Sequence, residues 1–431
     1  MEFTMQRIVI VGGGAGGLEL ATQLGRKLGK SKKADIVLID ASPTHLWKPL
    51  LHEVATGALD SGVDELSYRA HGKKHGFDFR IGRMNGLQRD ERKVVLKAML
   101  DENNREVLPE RTVSYDTLVL AIGSVTNDFG TPGAAENCIF LDSRDQAERF
   151  HHILLNEFLR SSNREEPTPL EISIVGAGAT GVELSAELYN TAEVIASYGV
   201  KNVSPEQLKV SLIEAGERIL PALPPRLSAA ATRELEALGV EVKTKTMITE
   251  VTDQGFRTKD GDIIPSVLRV WAAGVKAPEF MKTLGLETNR ANQLVVNSSL
   301  QTTDDHIFAL GDCCSVMHSD GKPVPPRAQA AHQQSTHLVK ALRARHKGQP
   351  MPEFVYKDKG SLVSLSRYST VGSLMGNLTK GSMMIEGRLA RIVYVSLYRL
   401  HQVALHGYWH TLLLSLVGHI NKVIRPRLKL H

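Results

Sequence analysis

Two sets of residues in this chain are spaced for the same chemistry. Gly12, Gly14 and Gly17 follow the order G-x-G-x-x-G with Asp40 downstream, and Gly176, Gly178 and Gly181 repeat it with Glu214 downstream. Such a triplet can hold a pyrophosphate. Its first glycine makes a tight turn, its second lets the backbone approach the ligand, and its third lets a helix lie against a strand. Free N–H groups at the start of that helix, with the positive end of its dipole, then meet the phosphate charge. An acid ending the next strand can accept from a ribose 2′-hydroxyl, so Asp40 points to a dinucleotide with that hydroxyl free. Two copies imply two dinucleotides. Glu214 is followed by Ala215 and Gly216 rather than a base, so a 2′-phosphate would meet a carboxylate; NADH is favoured over NADPH.

The elements that must position these residues can be read around them. Ile8 to Val11 has the β-branched density of a strand covered on both faces. A helix is expected from near Ala15, and a second strand ends at Asp40. In the second copy the strand is Ile172 to Val175, the helix Val182 to Ala192, and the strand with its acid Val210 to Glu214. The distance from Gly181 to Glu214 exceeds the usual spacing of about 20 residues, which a polar insertion at Ser197 to Gln207 explains. Residues 77–120 read as short alternating strands leading to YDTLVLAIG, whose Ala121 and Gly123 would pass under a cofactor. VWAAG, ending at Gly274, has the same role in the second copy. IFALGD then returns to the first ligand and delivers Gly311 and Asp312, whose carboxylate could bind ribityl hydroxyls or backbone. In the helix expected from about Pro326 to His346, Gln329 and Gln333 share a face near the amino-terminal end. Facing an isoalloxazine, that end would stabilise the charge of reduction; the alternative is two solvated glutamines.

Composition is that of a folded globular protein of two or three domains: 431 residues, 42% hydrophobic, 23% charged. Three cysteines, Cys138, Cys313 and Cys314, form no C-x-x-C and no even framework, so a reduced cytosolic setting is expected. The first strand lies so near the start that no secretory leader is expected either. Net charge is +5, but residues 385–431 hold seven Lys or Arg against Glu386 alone. The rest is close to neutral, which argues against a nucleic-acid partner and for an anionic surface at the tail.

The order of the paired glycine units, YDTLVLAIG, VWAAG and IFALGD resembles the two-dinucleotide-binding-domain flavoproteins over residues 5–345. More narrowly, KPLLHEVATG (Lys48 to Gly57), GAGATGVELSAEL (Gly176 to Leu188) and RAQAAHQQ (Arg327 to Gln334) resemble the type II NADH dehydrogenases, single-subunit NADH:quinone oxidoreductases. The resemblance implies an α/β fold with two Rossmann-like domains. FAD would be bound by residues 5–160 and 279–345, NADH as substrate by 168–278, and a membrane by an amphipathic region at 350–431. The boundary between the first two falls in the polar stretch Ser161 to Pro169. It also implies Glu183, Gln329 and Gln333 near flavin and quinone, with Lys48 and Ala328 in the motifs that line the cofactor. The loop Trp47 to Leu51, which residue types alone read as a core cap, becomes a wall of the flavin site. No metal is implied. The implied enzyme reduces a membrane quinone without pumping protons and feeds a respiratory chain from the cytoplasmic face of a bacterial inner membrane. Sulfide:quinone oxidoreductases and soluble reductases of small electron-transfer proteins share the layout; the former use well-separated cysteines, which this chain lacks.

From Gly387 the chain is basic and amphipathic. Gln402 to Asn421 carries no formal charge but contains too many polar residues for a comfortable span. Arg399, Gln402, His406 and His410 are spaced for one polar helical face, with Leu400, Val403, Leu405 and Trp409 elsewhere. An interfacial helix, or two, on anionic lipid is expected, with Tyr408 and Trp409 at headgroup level; a helix pair that forms a homodimer is the alternative.

Overall fold

The computed structural model describes residues 5–60, 62, 65–166, 168–318, 321–365, 369–376, 379–424 and 428. In chain order, the elements that position the site begin with β1 (Gln6–Val11), α1 (Ala15–Leu24), β2 (Ala34–Asp40), α2 (Leu51–Thr56), β3 (Asp78–Ile81) and β4 (Thr117–Leu120). They continue with α3 (Arg144–Ser162), β5 (Leu170–Val175), α4 (Ala179–Ser197), β6 (Leu208–Ile213), β7 (Glu241–Lys243) and β8 (Leu268–Trp271). Then come β9 (Ile307–Ala309), α5 (Ala328–His346), β10 (Gly360–Leu365), β11 (Ser369–Gly376), β12 (Thr379–Glu386), α6 (Gly387–His406) and α7 (Tyr408–Ile424).

The chain forms two compact units, the first made of Met1–Trp47, Glu65–Val125 and Val275–Lys357. Its core is a five-stranded parallel sheet in the order β9-β4-β1-β2-β3. Ile8, Val9, Ile10 and Val11 are buried in succession, as a strand covered on both faces requires. Each such side chain contributes about 1.5–3 kcal/mol of apolar burial, so the strands carrying the glycine turns are the least yielding part of the unit.

The second unit is Lys48–Asp64, Thr126–Gly274 and Asp358–His431. It repeats the plan with a parallel sheet in the order β7-β6-β5-β8. Each unit interrupts its parallel sheet with a three-stranded antiparallel excursion before the closing strand: Met84–Gln88, Lys93–Leu96 and Arg111–Ser114 in the first, Ile248–Val251, Gly255–Thr258 and Ile263–Pro265 in the second. Helix α3 starts on a capping box in which Ser143 and Gln146 satisfy each other's backbone N–H groups. Together α3 and α4 flank the short helix α2.

Residues 360–386 form an antiparallel sheet, β10-β11-β12, that the sequence reading did not anticipate. Beyond it the tail is two helices, α6 and α7. Gly407 stands between them at φ +82°, a left-handed conformation that suits glycine. The polar face expected to run from Arg399 through His410 is therefore interrupted after His406. Among the described residues, no helix is long and apolar enough to cross a membrane.

Candidate functional site

In the first unit the three glycines of the turn are required for three different reasons. Gly12 sits at φ +105°, and a Cβ there would come within 2.2 Å of the Ala121 carbonyl oxygen. A Cβ on Gly17 would come within 1.9 Å of the Gly12 oxygen, so the third glycine lets α1 lie against its own turn. Gly14 differs. Its φ is −62°, and a Cβ would meet no protein atom within 4 Å. Neither backbone strain nor packing calls for glycine there; what remains is room for something that is not protein, at the start of a helix whose first amides have no side-chain cap.

The second unit reproduces the pattern. Gly176 is at φ +101° with Ala273 2.5 Å from its Cβ position, Gly181 would strike the Gly176 oxygen at 2.1 Å, and Gly178 again faces no protein atom within 4 Å. The acids match too. Asp40 accepts from the N–H of Gly13 at 2.6 Å and of Ser42 at 2.8 Å. Glu214 accepts from Ala177 at 3.0 Å and Gly216 at 2.7 Å. Each carboxylate thus braces its glycine turn through one oxygen and its own loop through the other. Burial pushes the Asp40 carboxyl up from its ordinary value, opposed by those same N–H groups.

The closing strands both end in small-residue turns. Ala121 donates to the Val11 carbonyl at 2.7 Å, Gly123 follows at φ +80°, and Gly274 ends the second unit's closing strand at φ +63°. The loop after β9 belongs to the first unit alone. Gly311, at φ +75°, donates its N–H at 2.6 Å to the side-chain oxygen of Gln334. Asp312 accepts from the Ser124 hydroxyl at 2.9 Å, and its backbone carbonyl accepts from Gln293. Beneath the loop, Cys313 and Cys314 are buried; burial raises the Cys313 thiol to about 11 and holds the Cys314 thiol well above its ordinary value. They pack as small apolar groups, not as a redox pair.

Helix α5 begins at Ala328, two residues after the expected start. Gln333 is half-buried, and its amide makes two bonds to the backbone of Lys357: it donates to the carbonyl at 2.8 Å and accepts the N–H at 3.0 Å. Gln329, also half-buried, lies one turn earlier. The fully buried amide is the adjacent Gln334, the one that holds the Gly311 turn, and sequence reasoning missed it. His332 meets Glu19 of α1 at 2.6 Å, joining α1 to α5.

Two predicted residues outside the glycine turns lie in the second unit. Lys48 approaches Asp142 at 3.7 Å, and Asp142 also accepts from the backbone and hydroxyl of Thr126. Glu183, on α4, is nearly buried. One carboxylate oxygen accepts the Ser364 N–H at 3.1 Å, and the other lies 3.6 Å from Nδ1 of His52. Glu183 thus belongs to the second unit while Gln329 and Gln333 belong to the first.

The tail adds a surface feature. Trp409, Leu412, Leu413, Leu416, Val417 and Ile420 on α7 are all exposed, at the three-and-four spacing of one helical face.

Residues 6–335 match the pyridine nucleotide-disulphide oxidoreductase family. The chain is 50% identical to the type II NADH:quinone oxidoreductase of Haemophilus influenzae over 99% of its length and all of that protein. It is 30% identical to a type II NADH:quinone oxidoreductase of Mycobacterium tuberculosis, covering 93% of this chain and 84% of that one. In fold it is similar to NDH2 from Plasmodium falciparum in complex with NADH, with a TM-score of 0.82 at 20% identity over 98% of this chain and all of the other.

Proposed function

We propose, from the premise that the chain belongs to the type II NADH:quinone oxidoreductases and so oxidises NADH and reduces a quinone, a division of labour between its glycine turns. The first holds FAD and the second receives NADH. Support comes from the open space at Gly14 and Gly178, where protein alone gives no reason for glycine. FAD fits the first turn because only that unit adds the Gly311–Asp312 loop, with a carboxylate and backbone N–H groups beside the closing strand. Bound there, FAD supplies two-electron transfer between the substrates. Gly12, Gly14, Gly17, Asp40, Ala121, Gly123, Gly311, Asp312 and Ala328 hold it. Gly176, Gly178, Gly181, Glu214 and Gly274 hold NADH.

Glu183 holds a proton for the quinone at the oxygen facing His52, and Gln329 orients the quinone or nicotinamide. Gln333 acts through the backbone of Lys357, which it clamps. The exposed apolar face of α7, in a tail of basic excess, docks on anionic lipid at the inner face of a bacterial membrane and keeps the enzyme peripheral. Quinone is reduced without proton pumping, in keeping with the lack, among the described residues, of a helix long and apolar enough to cross a membrane.

The deciding experiment is anaerobic. The yellow protein bleaches on adding NADH and regains its colour on adding a short-chain quinone; bleaching without recolouring removes the quinone assignment and leaves the fold untouched. Heat release of the chromophore identifies it as FAD or excludes FAD. Flotation with vesicles of anionic or neutral lipid tests the tail, and equal binding to both would remove the electrostatic part of that reading.

A further inference from the structure

We infer that His52 is the positioning partner of Glu183, and that the imidazole and carboxyl together form a single-proton store for quinone reduction. This rests on the reading in which Glu183 supplies a proton.

The reaction itself sets the need. NADH gives up two electrons and one proton, whereas a quinone becoming a quinol takes two electrons and two protons as both carbonyls turn into hydroxyls. NADH, one further proton and quinone therefore yield NAD⁺ and quinol. One proton per turnover has to come from outside the substrates, and a group that holds one proton meets that need.

The local structure is built for such a group. Helix α2 stops at Gly57, φ +80°, and its carboxy-terminal end is tied to α4. The Thr56 hydroxyl donates to the His52 carbonyl at 3.0 Å, and Thr191 of α4 donates to the Thr56 carbonyl at 3.4 Å. His52 is thereby fixed against the helix that carries Glu183. The Ser364 N–H pins one oxygen of Glu183 and leaves the other turned to His52. Both side chains are buried, at 4% and 9% exposure. At 3.6 Å the pair is inside ion-pair range but too far apart for a hydrogen bond. A proton added between them is what would draw them together.

Burial pulls His52 down to about 4, so the ring is neutral near pH 7 and the contact is not a standing salt bridge. The ring also bonds the Pro49 carbonyl, and a neutral imidazole carries one N–H and one accepting nitrogen. The other ionisable groups on the elements packed here include Lys48 before α2 and Glu53 on it, buried His151 and Glu157 on α3, and buried Glu187 and Tyr189 with exposed Glu193 on α4. Glu157 is paired with Arg160 and Glu187 with Asn190. The strand β10, which brings Ser364, has no ionisable residue.

The test uses the flavin-loaded enzyme with His52→Leu, His52→Gln and Glu183→Gln. In the oxidised protein without substrate, infrared difference spectra identify the protonated Glu183 carboxyl by its loss in Glu183→Gln. Both His52 variants should move the titration midpoint of that band by about one pH unit or more. In rapid mixing, the pH profile of recolouring by quinone should move with it, and recolouring at neutral pH should slow at least about tenfold. Bleaching by NADH should be unchanged. His52→Gln keeps a donor and an acceptor but cannot titrate, so it decides the matter if His52→Leu fails to fold. If Glu183→Gln slows recolouring but neither His52 variant moves midpoint or profile, His52 is packing alone and the inference falls. If Glu183→Gln recolours normally, the reading beneath it falls as well.

Discussion

The two glycine turns have the same backbone and different neighbours. In the first, Gly13 lies beneath the ring of Tyr68, which would sit 2.4 Å from a Cβ there, and its carbonyl accepts from the Tyr68 hydroxyl at 2.7 Å and lies 2.9 Å from Nδ1 of His45. In the second, the same position is Ala177, whose carbonyl accepts only a backbone N–H, that of Leu220 at 2.8 Å, among the hydrogen bonds described. The Gly311–Asp312 loop, with Gln334 behind it, has no counterpart in the second unit. Side chains from several elements converge on the first turn, whereas the second is braced mostly by its own sheet. A ligand that stays calls for the first arrangement, and a ligand that leaves at every turnover calls for the second. Within the motifs two positions differ, Gly13 against Ala177 and Gly16 against Thr180.

The largest effect should come from the glycines at positive φ. Gly12→Ala and Gly176→Ala each force a strained conformation against backbone, at a cost of about 3 kcal/mol or more. Gly12→Ala should yield colourless protein. Gly176→Ala should remain yellow and bleach only at high NADH, as titration of the absorbance will show. If both lose colour, the turns are not separable and the comparison fails. Next are the braces. Asp40→Asn puts an amide where two N–H groups must be accepted, costing about 1–3 kcal/mol, and should be seen in thermal melts and flavin retention. Glu214→Gln should cost about 1 kcal/mol, since its loop is more open to water, and should raise the KM for NADH while flavin stays bound.

Gly14→Ala and Gly178→Ala separate ligand from fold more cleanly. Both positions have φ values that alanine accepts and no protein atom to strike, so the melting temperature of the ligand-free protein should hold. Affinity should drop about tenfold, for flavin in one variant and for NADH in the other. Calorimetry on each variant checks both statements together; a stability loss without an affinity loss would mean the open space is not a ligand's.

Much of this was readable in the sequence because strand, turn, helix and acid are local, and a glycine required at positive φ leaves a mark in the sequence. What was not readable depended on rotation or on distant pairing. Gln333 and Gln334 are neighbours, and a helix turns about 100° between them, so residue order could not say which amide faces the Gly311 turn. His52 reads as one residue of a loop wall until α2 is set against α4. The sheet at 360–386 offers glycines and alternation but no motif, and the break at Gly407 is one residue in an otherwise continuous amphipathic stretch. The adjacent Cys313 and Cys314 form no C-x-x-C, and in the fold they are filling beneath a loop.

The smallest effect is also the most pointed. Tyr68→Phe removes one hydroxyl and keeps the ring over Gly13, so the turn retains its shape and the Gly13 carbonyl keeps only its His45 partner among the side chains described. Losing that bond should cost about 1 kcal/mol, read as flavin leaving about fivefold faster on dilution. The second turn has no equivalent hydroxyl, so the KM for NADH should not move. Were the KM to rise while flavin stayed bound, the side chains over Gly13 would not be what keeps the first ligand in place, and the Gly311–Asp312 loop would have to account for it alone.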